Sequence, residues 1–286
     1  GGGPGGRTAP ALADLDGDGQ SEIVFANSDG AIYVIEPDGS VADGWPVTIA
    51  PLADANVAVA VGDLNGDGVP SVVLGDAWGT LAAFAPDGSV RDGFPVTLGT
   101  SGQIYVSLGA LRPFYPRWIV AAAGDELFRV NWRGAVERAS GTLAGSHRSA
   151  PAIGDVDGDG DAEIVYSFER DSGGGGVHVL EGDFQGGVQA FRAFDAVPSA
   201  AVSLGDLDLD GDLEVVVPLD DGTVEVLHHD LTPVTGFPYT SPVPLPLSRV
   251  AIDQILLGEE PELVFNGQES LVHVVLPGGA DASGFP

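Results

Sequence analysis

Apolar residues in this chain come in short, β-branched runs bounded by turn residues, and no helix-length amphipathic stretch interrupts them, so the runs read as strands. The first such unit spells out four strands. Ala9 to Leu15 leads into a polar loop, Ser21 to Ala26 leaves it, Asn27-Ser-Asp-Gly30 turns the chain, and Ala31 to Ile35 returns. Pro37-Asp-Gly39 turns it again, before a last strand around Trp45 to Ile49. Asn, Asp, Pro and Gly at these corners are the residues that tight hairpins need.

The same grammar recurs downstream. The third strand reappears as Leu81 to Phe84, Leu127 to Val130, Val177 to Leu180, Val224 to Leu227 and Val272 to Val275. A closing Gly-aromatic-Pro appears at Gly44-Trp-Pro46, Gly93-Phe-Pro95, Gly236-Phe-Pro238 and Gly284-Phe-Pro286. Taking the polar loop as the marker, units begin at 14, 63, 110, 155, 206 and 254, with spacings of 49, 47, 45, 51 and 48 residues. Four strands in about 48 residues fit a propeller blade, whereas a β-solenoid coil needs about 20 to 30 residues and lacks repeated hairpins. The expected fold is all-β: a six-bladed β-propeller of four-stranded antiparallel blades. Residues 1–6 read as a flexible Gly-rich segment and 7–286 as one propeller domain, which the six repeats fill. Because the last repeat stops at Gly-Phe-Pro286, either the N-terminal segment completes that blade or the natural protein extends further.

Four of the polar loops carry chemistry. Asp14-Leu-Asp-Gly-Asp-Gly-Gln-Ser-Glu22, Asp63-Leu-Asn-Gly-Asp-Gly-Val-Pro-Ser71, Asp155-Val-Asp-Gly-Asp-Gly-Asp-Ala-Glu163 and Asp206-Leu-Asp-Leu-Asp-Gly-Asp-Leu-Glu214 place acidic or amide side chains at alternate positions around a glycine. Alternate oxygens on a tight loop converge on one hard cation, and calcium takes six to eight of them at roughly 2.3 to 2.6 Å. Positions 1, 3 and 5 supply side chains: Asp14, Asp16 and Asp18; Asp63, Asn65 and Asp67; Asp155, Asp157 and Asp159; Asp206, Asp208 and Asp210. Position 6 is Gly19, Gly68, Gly160 or Gly211, where a sharp turn favours positive φ. Position 7 offers a backbone carbonyl, from Gln20, Val69, Asp161 or Asp212, and position 9 adds Glu22, Glu163 or Glu214. Ser71 is a weaker substitute in the second loop, so calcium is expected at three to four sites. An EF-hand would need a bidentate glutamate at position 12 within a helix, but Phe25, Leu74, Tyr166 and Val217 stand there. Three aspartates and a glutamate held about 5 Å apart cost on the order of 3 kcal/mol per pair at an effective dielectric near 20, so the metal should decide whether these hairpins keep their shape. The third loop, Ala110 to Trp118, and the sixth, Gln254 to Glu262, should bind no metal.

Net charge narrows the partners. At −31 the chain lacks the basic face that nucleic acid requires, and four bound dications would still leave it near −23, soluble and monomeric. It has no cysteine and hence no disulfide, and all 11 basic residues are arginine. No signal peptide or long apolar span is visible in the sequence, so no membrane span is expected. Calcium at extracellular levels points to a secreted or cell-surface setting.

With the acidic loop between the first two strands of a four-stranded unit, the chain resembles the FG-GAP/VCBS repeat family, the building block of integrin α-subunit propellers. The four loops, with Thr8-Ala-Pro10 and Ser149-Ala-Pro151 before two of them, carry the resemblance, although the Phe-Gly of the family name is missing. It implies calcium in the first hairpin of a blade, on one face of a disc, with ligands bound by other loops.

Outside the loops, the third unit gathers Arg112, Arg117, Arg129, Arg133 and Arg138 among Phe114, Tyr115, Trp118, Phe128 and Trp132. This set reads either as packing that replaces calcium in that blade or as a docking patch for a protein or sugar. His178 and His273 share a third-strand slot with Tyr33 and Glu225, which marks a structural position and not a zinc pair. His228 and His229 point to opposite faces if extended, which weakens a metal reading there too. Asp220-Asp221 and Glu259-Glu260 read as solvated turns. No nucleophile elbow or paired-His motif appears, so the expectation is a non-enzymatic recognition, adhesion or scaffold module for an unidentified protein or glycan. The alternatives are a lectin and, from another class, the propeller of a secreted carbohydrate-active enzyme such as a polysaccharide lyase.

Overall fold

The computed structural model describes residues 9–50, 59–113, 116–139, 145–146, 149–184, 188–241, 249–256, 260–266 and 271–285. Residues 1–8, Phe114, Tyr115, Glu259 and Pro286, all named above, lie outside them. Regular structure among the described residues is entirely β, and the chain divides into two compact units, Gly1–Leu143 and Ala144–Pro286.

The first unit holds three sheets. Sheet one is β1 (Ala11–Ala13), β2 (Glu22–Ala26), β3 (Ala31–Ile35) and β4 (Val47–Thr48). Sheet two is β5 (Ala60–Gly62), β6 (Ser71–Gly75), β7 (Thr80–Phe84) and β8 (Val96–Thr97). Sheet three is β9 (Ile104–Gly109), β10 (Trp118–Ala123), β11 (Glu126–Val130) and β12 (Val136–Arg138). The second unit repeats the plan. Sheet four is β13 (Ala152–Gly154), β14 (Glu163–Glu169), β15 (Gly175–Glu181) and β16 (Val188–Phe194). Sheet five is β17 (Ser203–Gly205), β18 (Glu214–Pro218), β19 (Thr223–Leu227) and β20 (Tyr239–Thr240). Sheet six is β21 (Ala251–Asp253), β22 (Glu262–Asn266) and β23 (Val272–Val275). Each sheet is an antiparallel meander. The sixth shows three strands among the described residues where four were expected, yet its closing turn forms, since Val275 bridges Asp281 as Ile35 bridges Val41 in sheet one.

Apolar faces explain the stacking. The strands β6 and β18 are buried along their whole length, which is why they read as unbroken apolar runs and not as alternating ones. Val73, Leu81 and Phe94 of sheet two pack against Ile104, Ile119 and Phe128 of sheet three. In the second unit Val165 and Val177 meet Val215 and Val217, and Val216 and Val226 meet Leu263 and Phe265. First strands of consecutive sheets are neighbours within each unit: β1 with β5, β5 with β9, β13 with β17, and β17 with β21. They approach closely where the acidic loop begins. A Cβ on Gly205, the residue before Asp206, would lie 2.8 Å from Ile252 Cγ2, closer than a real contact allows.

Register settles the third-strand slot. Tyr33, His178, Glu225 and His273 pair with Phe25, Tyr166, Val217 and Phe265 on the preceding strand. His178 stacks on Tyr166 at 5.3 Å and His273 on Phe265 at 5.2 Å, so both are core rings, as their shared slot suggested. Burial pushes the His178 imidazole down to about 4, leaving it neutral.

Candidate metal centre

The four acidic loops follow directly on the first strands and share one hydrogen-bond pattern. In each, the position-6 glycine amide donates to the second oxygen of the position-1 aspartate: Gly19 to Asp14 at 2.9 Å, Gly68 to Asp63 at 2.7 Å, Gly160 to Asp155 at 3.0 Å and Gly211 to Asp206 at 3.1 Å. The position-7 amide donates to the position-5 aspartate, from Gln20, Val69, Asp161 and Asp212 at 2.7 to 3.0 Å. The position-6 glycines take φ values of 84° to 104°, as the sharp turn requires. Position 4 also takes positive φ, at Gly17, Gly66 and Gly158, and Leu209 is forced to 60° in the same place.

Convergence follows from this shape. Asp14, Asp16 and Asp18 each place one oxygen within 4.8 Å of the others, as do Asp206, Asp208 and Asp210. Asp155, Asp157 and Glu163 form the corresponding group in loop four, without Asp159 or Asp161. Loop two, with two carboxylates and an amide at positions 1, 3 and 5, makes no such group, and Glu22 stands outside the tightest set in loop one.

Position 9 does two jobs. The buried carboxylates of Glu22, Glu163 and Glu214 accept the position-2 amide of Leu15, Val156 and Leu207 at 2.7, 2.9 and 2.7 Å. The other oxygen of each, Oε1, is buried without a hydrogen-bond partner. Glu262 in loop six makes the same bond to the Ile255 amide at 2.8 Å although no aspartate array surrounds it. The amide bond therefore serves the fold, and the orphaned oxygen is what the acidic loops add.

A slot absent from the sequence expectation faces position 9 from the third strand. Glu181 pairs directly with Glu163, and Glu36 and His228 stand one step beyond the paired residues Ile23–Ile35 and Val215–Leu227, opposite Glu22 and Glu214. Partial desolvation and then the carboxylates of Glu22, Asp16 and Asp18 raise Glu36 above the usual range. Desolvation followed by Asp159 and Asp157 raises Glu181. Burial pushes Glu163 up to about 7, with Asp157, Glu181 and Asp159 adding to it, and burial likewise raises Glu214. Like charges facing each other across a strand pair are destabilising unless a cation lies between them. No spacing rule marks this slot, because the partner comes from another strand, 14 residues on in sheets one and five and 18 in sheet four.

Loop two differs in charge and not in backbone. Arg91, from the closing turn of the same sheet, donates from Nη2 to the carbonyls of Val69 at 3.1 Å and Pro70 at 3.0 Å. The Val69 carbonyl is the position-7 oxygen expected to face a metal. Asn65 Nδ2 donates to Asp67 Oδ2 at 2.8 Å, and this bond, with the Val69 amide and Arg91, holds the Asp67 carboxyl below its usual range. Buried Ser71 carries no carboxylate for the Leu64 amide.

Sheet three packs its own cations. Arg129 lies 4.7 Å over the Trp118 ring and bonds Glu137, while Arg138 lies 5.6 Å over Phe128 and pairs with Glu126. Arg129 and Arg138 thus pack within the sheet, with the Trp118 indole at position 9 where other loops have a carboxylate, whereas Arg133 lies 4.3 Å over the exposed Trp132 ring.

Residues 14–74 match the FG-GAP-like repeat. No curated protein matches the chain in sequence. Among solved structures, BBS1N in complex with ARL6DN (lead-soaked crystal) is similar at a TM-score of 0.62 and 16% identity, over 94% of this chain and 79% of that one. The mercury-soaked crystal of the same complex gives 0.59 at 13% identity, over 93% and 78%. The Dos1 propeller gives 0.59 at 10% identity, over 92% and 70%. Identities this low speak to fold alone. The chain therefore has the β-propeller fold, with an FG-GAP-like repeat at residues 14–74.

Proposed function

We propose that this chain is a calcium-binding, non-enzymatic recognition or scaffold module that works outside the cell, with ions at loops one, four and five and none at loop two. One observation carries the reading: the buried, unpartnered Oε1 of Glu22, Glu163 and Glu214, each in a loop that gathers aspartates. An anionic oxygen without a donor is costly to bury, and a dication is the partner that cancels several such charges at once. Asp14, Asp16, Asp18 and Glu22 would hold one ion, Asp155, Asp157 and Glu163 a second, and Asp206, Asp208, Asp210 and Glu214 a third. In loop two Arg91 supplies the positive charge internally.

BBS1N, similar in fold, was crystallised with a partner protein, which supports recognition as the role. An extracellular setting follows from the calcium levels such exposed sites need. Isothermal titration with calcium tests the reading, with three ions expected and one lost in each of Asp16→Asn, Asp157→Asn and Asp208→Asn. Absence of binding heat, with an unchanged melting temperature in EGTA, would overturn it.

A lectin is the second reading, favoured by one feature: a cavity of about 300 Å³ lined by Asn65, Arg91, Asp92, Trp132 and Arg133 beside loop two. An indole face beside guanidinium, amide and carboxylate groups suits the apolar face and hydroxyls of a sugar. Glycan-array binding that disappears in Trp132→Ala would favour it, and a blank array would exclude it.

A further inference from the structure

The three aspartate-gathering loops differ in the slot facing position 9, where loops one and four have Glu36 and Glu181 and loop five has His228. Glu214 is wholly buried, and its Oε2 is committed to the Leu207 amide at 2.7 Å. Its Oε1 has no hydrogen-bond partner, and His228 Nδ1 lies 3.6 Å away, too far for a hydrogen bond. One ligand atom each from Asp208, Glu214 and His228 falls within 4.8 Å of the other two. Three elements supply them: the loop, the first residue of β18 and the turn after β19. His229 stands outside this group, its Nδ1 3.1 Å from Asp212 at position 7 of the same loop.

We propose that loop five is a mixed nitrogen–oxygen site for a first-row transition dication, held by Asp208, Glu214 and His228. Loops one and four offer only oxygen. Calcium takes oxygen ligands, whereas an imidazole beside two carboxylates suits zinc and its neighbours in the first row. The remaining loop carboxylates, Asp206, Asp210 and Asp212, lie on the same loop and add charge without adding nitrogen. His228 is partly exposed, so an ion can reach it from solvent. The proposal rests on the reading of the acidic loops as cation sites: loop five takes calcium when calcium alone is supplied, and a first-row dication displaces it there because this loop adds a nitrogen to the carboxylates.

The test is titration of the full chain with Zn²⁺ in saturating calcium, with Co²⁺ as the spectroscopic probe. Wild type should bind zinc through a His228-dependent site and show Co²⁺ ligand-field bands. His228→Ala should weaken zinc at least tenfold and abolish those bands, with calcium binding at loops one and four intact. His229→Ala should change neither. His228→Glu, which copies loops one and four, should lose zinc and keep calcium. Equal zinc affinity in wild type and His228→Ala, equal losses in the two alanine variants, or no zinc binding at all would overturn the assignment. Should His228-dependent zinc binding persist while calcium gives no heat at any loop, the calcium reading fails and this one stands.

Discussion

Loop one and loop two have the same backbone. In both, the first aspartate accepts the position-6 glycine amide and the fifth-position aspartate accepts the position-7 amide, and position 4 is a glycine at φ near 80°. Their charge balance differs. Loop one gathers Asp14, Asp16 and Asp18, adds Glu22 with an orphaned buried oxygen, and meets Glu36 across the strands. Loop two has an amide at Asn65, a hydroxyl at Ser71, and Ala85 in the facing slot, and the Arg91 guanidinium sits on the Val69 and Pro70 carbonyls. Hydrogen bonds and glycine set the shape of the loop, and charge balance decides whether that shape needs an external ion.

Removing calcium should produce the largest effect and divide the two loops. A site held at a hundred times its dissociation constant contributes about 2.7 kcal/mol, so three such sites amount to roughly 8 kcal/mol. For a chain of this size that is a fall in melting temperature of more than about 15 °C. Hydrogen exchange in EGTA should show protection lost across residues 14–22 and retained across 63–71. Equal loss in both loops would break the comparison.

Arg91→Ala comes next. Hydrogen bonds from a charged donor contribute about 1.5 to 3 kcal/mol each, so losing the two to Val69 and Pro70 should cost about 3 kcal/mol or more in urea denaturation. The sharper form of the experiment combines Arg91→Ala with Asn65→Asp and Ser71→Glu. If Arg91 stands in for the ion, the triple variant should bind one more calcium than wild type by titration. Unchanged stoichiometry would mean that loop two differs in some other way.

These two loops also show how far the sequence could be read. The strands, the repeat and positive φ at Gly19 and Gly68 were all legible, because each depends on residues adjacent in the chain. Arg91 was not, as it reaches Val69 from 22 residues away across the sheet. The facing slot of Glu36, Glu181 and His228 was hidden for the same reason, since strand register and not spacing brings it to position 9. Glu262 misleads in the other direction: it keeps the position-9 glutamate in a loop without aspartates, because the Ile255 amide needs an acceptor.

A smaller effect comes from pH. Glu163 is pushed up to about 7 by burial, and Glu36, Glu181 and Glu214 are raised in the same sense. A carboxyl with a raised folded-state pKa contributes stability that is complete below its unfolded value and is lost as pH rises through the folded value. In EGTA the melting temperature should therefore fall between about pH 4.5 and 7. With calcium the sign reverses, because ligation requires the carboxylates, and calcium affinity should climb over the same interval. Parallel slopes in the two buffers would mean that these carboxyls do not face the ion.

The smallest expected effect lies at position 4 of loop five, where Leu209 holds φ at 60° while Gly17 and Gly66 occupy the equivalent place in loops one and two. A side chain in the left-handed region costs about 1 to 2 kcal/mol, and Leu209 recovers little of it by packing because its side chain is largely exposed. Leu209→Gly should relieve that strain and return part of it to the greater freedom of glycine in the unfolded chain, for a net gain of about 0.5 to 1 kcal/mol in urea denaturation. The gain should appear with and without calcium, since position 4 supplies no ligand. Introducing the strain into loop one by Gly17→Leu should cost a similar amount in both buffers, and a cost seen only with calcium would show that position 4 shapes the site as well as the turn.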